Sequence, residues 1–170
     1  MRVLLVALVF AFASDGAIAA DVWFPFKDPD SAFSVDVPGT PTVSTDDTTK
    51  APDGTVIPII TYEVSGAPDI AIVVSDFTKG QYDAGKVIDG CVSAIKAEGV
   101  TQVLDRLSVL DGQVGHEVAV VDKDGNNIDD RVYFVGGHLY QVMAMVAKDA
   151  TADQTAQGQR FLASFHFTAK

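Results

Sequence analysis

Four segments in the second half of the chain, Gln102 to Val109, Val114 to Asp122, Ile128 to Val135 and His138 to Val146, are separated by dipeptides that favour tight turns. Asp111-Gly112, Asp124-Gly125 and Gly136-Gly137 supply residues that tolerate positive φ, which two-residue hairpins require. A strand leaving such a turn runs back along the strand before it. The spacing therefore predicts an antiparallel meander, and the remaining elements have to pack on it.

Upstream, Phe33 to Val37 alternates strictly between apolar and polar residues and stops at Pro38-Gly39, the pattern of a half-buried strand. Thr42 to Gly54 has no hydrophobic period, which predicts a hairpin tip or weak edge strands. Ile60 to Val64 alternates again, and Pro58 before it suggests a sheet edge or a bulge, because proline cannot donate to a ladder. Ile70 to Val74 is continuously apolar, so this segment is read as a central strand covered on both faces. Asp21 to Ser31 is read as an extended lead-in, and Phe165 to Phe167 as a last short strand.

Two segments have helical spacing. Ala84, Val87, Ile88, Cys91 and Ile95 form one apolar stripe within Asp83 to Glu98, with Gly99 as the stop. Gly85 and Gly90 each cost this helix about 1 kcal/mol relative to alanine, so it depends on packing. Ala152 to Ser164 forms the second, with Thr151 and Gln154 spaced as a capping box and Gly158 allowing close approach to the sheet. Phe161, Leu162 and Phe165 are its expected anchors. Strands and helices in blocks indicate an α+β fold, a mainly antiparallel sheet with helices packed on its faces.

Met1 to Ala20 has the three parts of a secretory leader: Arg2, the apolar run Val3 to Ala13, and the small residues Ala17-Ile18-Ala19. Residues 1–19 are therefore expected to be a signal peptide and residues 20–170 a single exported domain, periplasmic or secreted. The run is shorter than the ~20 residues a bilayer span needs, so no membrane insertion is expected once the leader is removed. Arg2 and Asp15 cancel, which leaves the net charge of −11 on the rest of the chain and argues against nucleic acid as a partner. Cys91 is the single cysteine, so no intramolecular disulfide can form. Its place in an apolar stripe predicts a buried, inert thiol.

The chemical motifs are fragments. Asp122-Lys123-Asp124-Gly125-Asn126 opens like a calcium loop, but Asn127 stands where that loop needs glycine and Tyr133 where it needs a bidentate glutamate. A solvated hairpin turn is the simpler reading; the alternative is an irregular cation site built from Asp122, Asp124, Asn126, Asp129 and Asp130. His116-Glu117 begins like a zinc-protease motif, but Val120 occupies the second histidine position. On the shared face of Val114, His116, Val118 and Val120, His116 is expected to bond a neighbour; an enzyme centred on His116 and Glu117 is a further alternative. Arg131 beside Asp129 and Asp130 is read as an outward-facing charge set. No nucleophile elbow, phosphate loop, Cys-x-x-Cys pair or dinucleotide fingerprint is present, and no cofactor is expected.

Phe33-Ser34-Val35-Asp36-Val37-Pro38-Gly39-Thr40-Pro41, Gly112 to Glu117, Arg131 to Tyr140 with its Gly136-Gly137 turn, and Phe161 to Phe165 resemble the PsbP-like superfamily in order and spacing. The resemblance implies an α/β/α sandwich around an antiparallel sheet. It also implies a non-catalytic role, since members serve as extrinsic subunits of photosynthetic membrane complexes or as binding and assembly proteins, and many exported bacterial relatives have no assigned role. None of the matching residues carries a family function, and no photosynthetic partner is marked. The leading expectation is a monomeric exported domain that binds a protein or a small ligand at a sheet edge or beside the helices.

Overall fold

The computed structural model describes residues 22–28, 30–97 and 100–168. The expected leader at 1–19 and the expected helix stop at Gly99 lie outside the described residues. The described elements are β1 (Phe24–Asp28), β2 (Phe33–Val37), β3 (Thr42–Asp46), β4 (Ile59–Val64), β5 (Asp69–Asp76), α1 (Ala84–Ala97), β6 (Thr101–Leu110), β7 (Gln113–Val121), β8 (Asn127–Val135), β9 (His138–Val146), α2 (Ala152–Ser164) and β10 (His166–Phe167).

Seven strands form one antiparallel sheet in the order β3-β4-β5-β9-β8-β7-β6. The run from β6 to β9 is the meander read from the turn dipeptides. Asp111 and Gly112 at φ of 50° and 79°, and Gly136 and Gly137 at 59° and 84°, have the positive φ pair that lets a hairpin turn follow the twist of its strands. β5 joins β9 rather than β6, so the sheet closes through a non-local pair from Asp69↔Met145 to Asp76↔His138.

That junction explains the layers. Residues Ile70 to Ser75 are all buried, with Ile70, Ile72 and Val74 on one face and Ala71, Val73 and Ser75 on the other. A strand buried on both faces needs a layer on each. On the side of the sheet that carries Val118, Val132 and Leu139, α1 packs over the meander, placing Val87, Ile88, Cys91 and Val92 against those three residues. α2 covers the other together with a second, three-stranded sheet ordered β1-β2-β10. This small sheet departs from the sequence reading. Phe24–Asp28 in the lead-in segment is a strand, while the expected last short strand is present as β10 and pairs with β2.

Aromatic side chains weld the small sheet to α2 and the main sheet. Phe33 stacks on Phe165 at 5.5 Å between ring centroids and meets Tyr62 edge-on at 5.5 Å. Such pairs contribute about 0.5–1.5 kcal/mol beyond their burial. The buried hydroxyls are satisfied as well: Tyr140 donates to the Ser31 carbonyl at 2.8 Å, and Tyr62 donates to Asp28, which Ser31 also caps at 2.5 Å. Pro58 is corrected by the topology. It does not mark an edge, since β4 lies between β3 and β5; it sits just before the strand and its carbonyl accepts the Asp76 N–H at 2.8 Å.

α2 has both arms of its capping box in place, Thr151 Oγ1 accepting from the Gln154 N–H and Gln154 Oε1 from the Thr151 N–H. At its other end the Arg131 guanidinium donates to the Leu162 carbonyl at 2.7 Å, so a cation meets the negative end of the helix dipole. Gly158 lies flat on the sheet, where an added Cβ would stand 3.3 Å from Val146 Cγ2.

Gly115 on β7 is held harder, because a Cβ there would collide with the Val132 carbonyl and the Tyr133 ring. Gly115→Ala is expected to lower stability by about 2 kcal/mol, since backbone and a packed ring must both move. Gly158→Ala should change it by less than about 1 kcal/mol, the gain in helix propensity offsetting a contact a few tenths of an ångström too close. Urea unfolding of both variants measures the difference.

Candidate functional site

The acidic hairpin is a self-satisfied turn. Asp122 Oδ1 accepts the N–H groups of Asp124 and Asn126 at 2.8 and 2.9 Å, and its Oδ2 accepts the Asn126 side-chain amide at 2.9 Å. Partial burial pushes the Asp122 carboxyl up, but these bonds outweigh it and hold the group below the ordinary range. Further along β8, strand alternation separates the other two carboxylates. Asp129 faces α2 and accepts from Gln159 Nε2 at 2.5 Å, whereas Asp130 points under α1. The five residues of the expected cation site are therefore not brought together. Among the described residues, no three His, Cys, Asp or Glu side chains are grouped to hold a metal ion.

The same alternation parts His116 from Glu117. His116 Nδ1 lies 3.1 Å from Asp105 Oδ1, and Lys96 of α1 donates to the other Asp105 oxygen at 2.6 Å. These two bonds, the Lys96 one foremost, hold Asp105 below the ordinary carboxylate range. On the opposite face Glu117 accepts two bonds from Arg106, at 2.9 and 2.7 Å. His116 is thus the neighbour-bonded strand histidine that the face pattern predicts, and it shares no pocket with Glu117. Arg131 is not in an outward charge set: β8 is an inner strand, and Arg131 faces Glu117 in the register and reaches α2.

Asp130 is the chemically conspicuous residue. It is 1% exposed, its Oδ2 accepts from Gln141 Nε2 at 3.3 Å, and its Oδ1 has no partner among the described residues. Its register neighbours are Val118 on β7 and Met143 on β9. Burial pushes this carboxyl up to about 7, against the pull of the Gln141 bond. The buried Cys91 thiol above it on α1 is raised by its own burial and by the Asp130 charge, as an inert thiol should be.

The surface feature is the β6 edge. Leu107 and Val109 are 70% and 68% exposed, and Val114, opposite Val109 on β7, is 60% exposed. All three lie on the face that α1 covers further along at Val118. The other edge, β3, is half as long and reads Thr-Val-Ser-Thr-Asp. The sequence reading found this strand without finding that it is exposed. The signal was there: the first strand of a meander ends the ladder unless another strand returns to it, and Leu104, Leu107, Val109 and Leu110 do not keep the polar-out alternation of a shielded edge.

Among solved structures, the solution structure of cyanobacterial PsbP (CyanoP) from Synechocystis sp. PCC 6803 superposes on 91% of this chain and 98% of its own, with a TM-score of 0.53 at 15% identity. The fold is PsbP-like. No protein-family model matches the chain, and none of the curated proteins is similar to it. Likeness at this identity carries the PsbP-like frame and leaves the chemistry to this chain's own side chains. No described helix is long and apolar enough to cross a membrane.

Within that frame Asp130 makes stability depend on pH. Its folded value of about 7 stands above the unfolded 3.8, so its contribution is complete below pH ~4 and is lost as pH rises through 7. Between pH 4.5 and 8 the wild-type chain should lose roughly 3 kcal/mol more than Asp130→Asn, which cannot ionise. Urea unfolding across that range tests this; parallel curves for the two chains would exclude Asp130 as the titrating group. Carboxylates held low, such as Asp105 and Asp122, contribute in the opposite sense and below pH ~4.

Proposed function

We propose that this chain is an exported, non-catalytic domain that binds a protein partner along β6. The observation that carries the reading is the ten-residue edge strand, unpaired on its outer side among the described residues, with Leu107, Val109 and Val114 exposed in one stripe. An edge strand offers free backbone donors and acceptors to an incoming strand, and the apolar row offers a contact that excludes water. The absence of catalysis is supported by the divergence of His116 from Glu117 and of Asp129 from Asp130. Export is supported by the leader-like pattern of residues 1–19. Acidic lipid surfaces and nucleic acid suit a chain of charge −11 poorly, which leaves protein surfaces as the fitting class.

Affinity capture from an envelope extract tests the edge. The wild-type chain and Val43→Lys, altered on the opposite edge, should retain a common partner, and Leu107→Lys should lose it. Equal capture by all three would remove β6 from the reading. Amino-terminal sequencing of the exported chain should begin directly after Ala19, whereas a start at Met1 in the cytosolic fraction would remove export.

A further inference from the structure

We infer that the occupant of the β6 edge is a second copy of this chain, paired antiparallel about a two-fold axis at Leu107; this rests on the reading of β6 as the binding edge. In a two-fold antiparallel pair the axis is perpendicular to the sheet, each residue meets its mirror position in the other copy, and facing side chains lie on the same face. The irregularity between Gln102 and Leu104 confines a regular ladder to Leu104 through Leu110. That window reads Leu-Asp-Arg-Leu-Ser-Val-Leu.

Centred on Leu107, the pairing sets Leu107 against Leu107 and Leu104 against Leu110. Arg106 meets Ser108, and Asp105 meets Val109, so no like charges face each other. Moving the axis one residue earlier opposes the two Arg106 guanidiniums. Moving it one residue later brings each Asp105 against the other copy's Asp111. The exposed stripe then becomes continuous, since Val114 lies beside Val109, and Leu107 and Val109 of both copies cluster around the axis. The two sheets form one fourteen-stranded sheet, seven from each copy.

Two features set the strength. Seven ladder residues a side is well below the ~20–30 of a standard interface, which makes the dimer a weak, reversible one. Each copy also carries a charge of −11, so the copies repel at low salt and screening favours association. A basic partner strand would respond to salt in the opposite direction.

Sedimentation equilibrium of the purified exported chain, at concentrations up to about 200 µM, is the test. A monomer–dimer equilibrium that tightens several-fold between about 20 and 300 mM salt is expected. Leu107→Lys should be monomeric, and Val43→Lys should dimerise as the wild type does. Ser108→Glu sets a carboxylate against the other copy's Arg106 at two symmetric places and should tighten the dimer about fivefold; circular dichroism checks that it keeps the fold after losing the Ser108–Tyr133 bond. A chain that stays monomeric throughout, a dimer indifferent to Leu107→Lys, or one weakened by salt or by a folded Ser108→Glu variant overturns the inference. If the chain is monomeric but capture of a foreign partner still depends on Leu107, only the second copy fails; if capture is also indifferent to Leu107, the binding edge fails with it.

Discussion

The structure depends on β5 being buried on both faces. A strand with apolar side chains pointing in both directions cannot lie on the surface of a single-layered sheet. Its pairing with β9 places the Ile70–Val74 run at the junction between the early strands and the meander. Each face must then acquire a cover. α2 with the β1-β2-β10 sheet covers Ile70, Ile72 and Val74 on one side, and α1 covers the meander strands on the other. The separation of the chemical groups follows from the same constraint. Once both faces of the sheet are claimed, successive residues on an inner strand belong to different layers, so Asp129 and Asp130 can share a sequence motif without sharing a site.

The elements that were legible in the sequence are those whose reasons are local. Mirror-image turns need residues that accept positive φ, and the Asp-Gly and Gly-Gly dipeptides announced them. The Thr151–Gln154 capping box is complete within four residues, and α2 spans Ala152 to Ser164 as its pattern predicts. The pairing of β10 with β2 was not legible, because it joins Ser34 to His166 across almost the whole chain and no short pattern encodes a partner. Pro58 misled for a related reason: its missing N–H excludes it from a ladder but does not say whether it lies inside a strand or one residue before it.

The candidate site was less legible than the fold. The acidic hairpin attracted attention because its residue types suit a cation, yet Asp122 spends both oxygens on its own turn. Asp130 looked like a surface charge beside a surface arginine. Only the layer arrangement reveals it as a buried carboxyl with one weak bond, in a place where an apolar residue of similar volume would meet no polarity problem. The β6 edge was hidden in another way: its leucines and valines break the polar-out alternation of a shielded edge, but no short pattern says whether a distant strand returns to pair with it.

The small sheet has a consequence for how the molecule is made. Among the described residues, Phe33 is the first buried core side chain along the chain and Phe165 the last, yet the two rings are stacked. The layer over one face of the main sheet therefore cannot close before the α2 and β10 segments have been made, and a product that stops short of them lacks one of the two strands that flank β2. Loop closure over so long a separation is slow relative to local hairpin formation. Completion of this fold thus acts as a check on length: only a chain translated through Phe167 can become fully native.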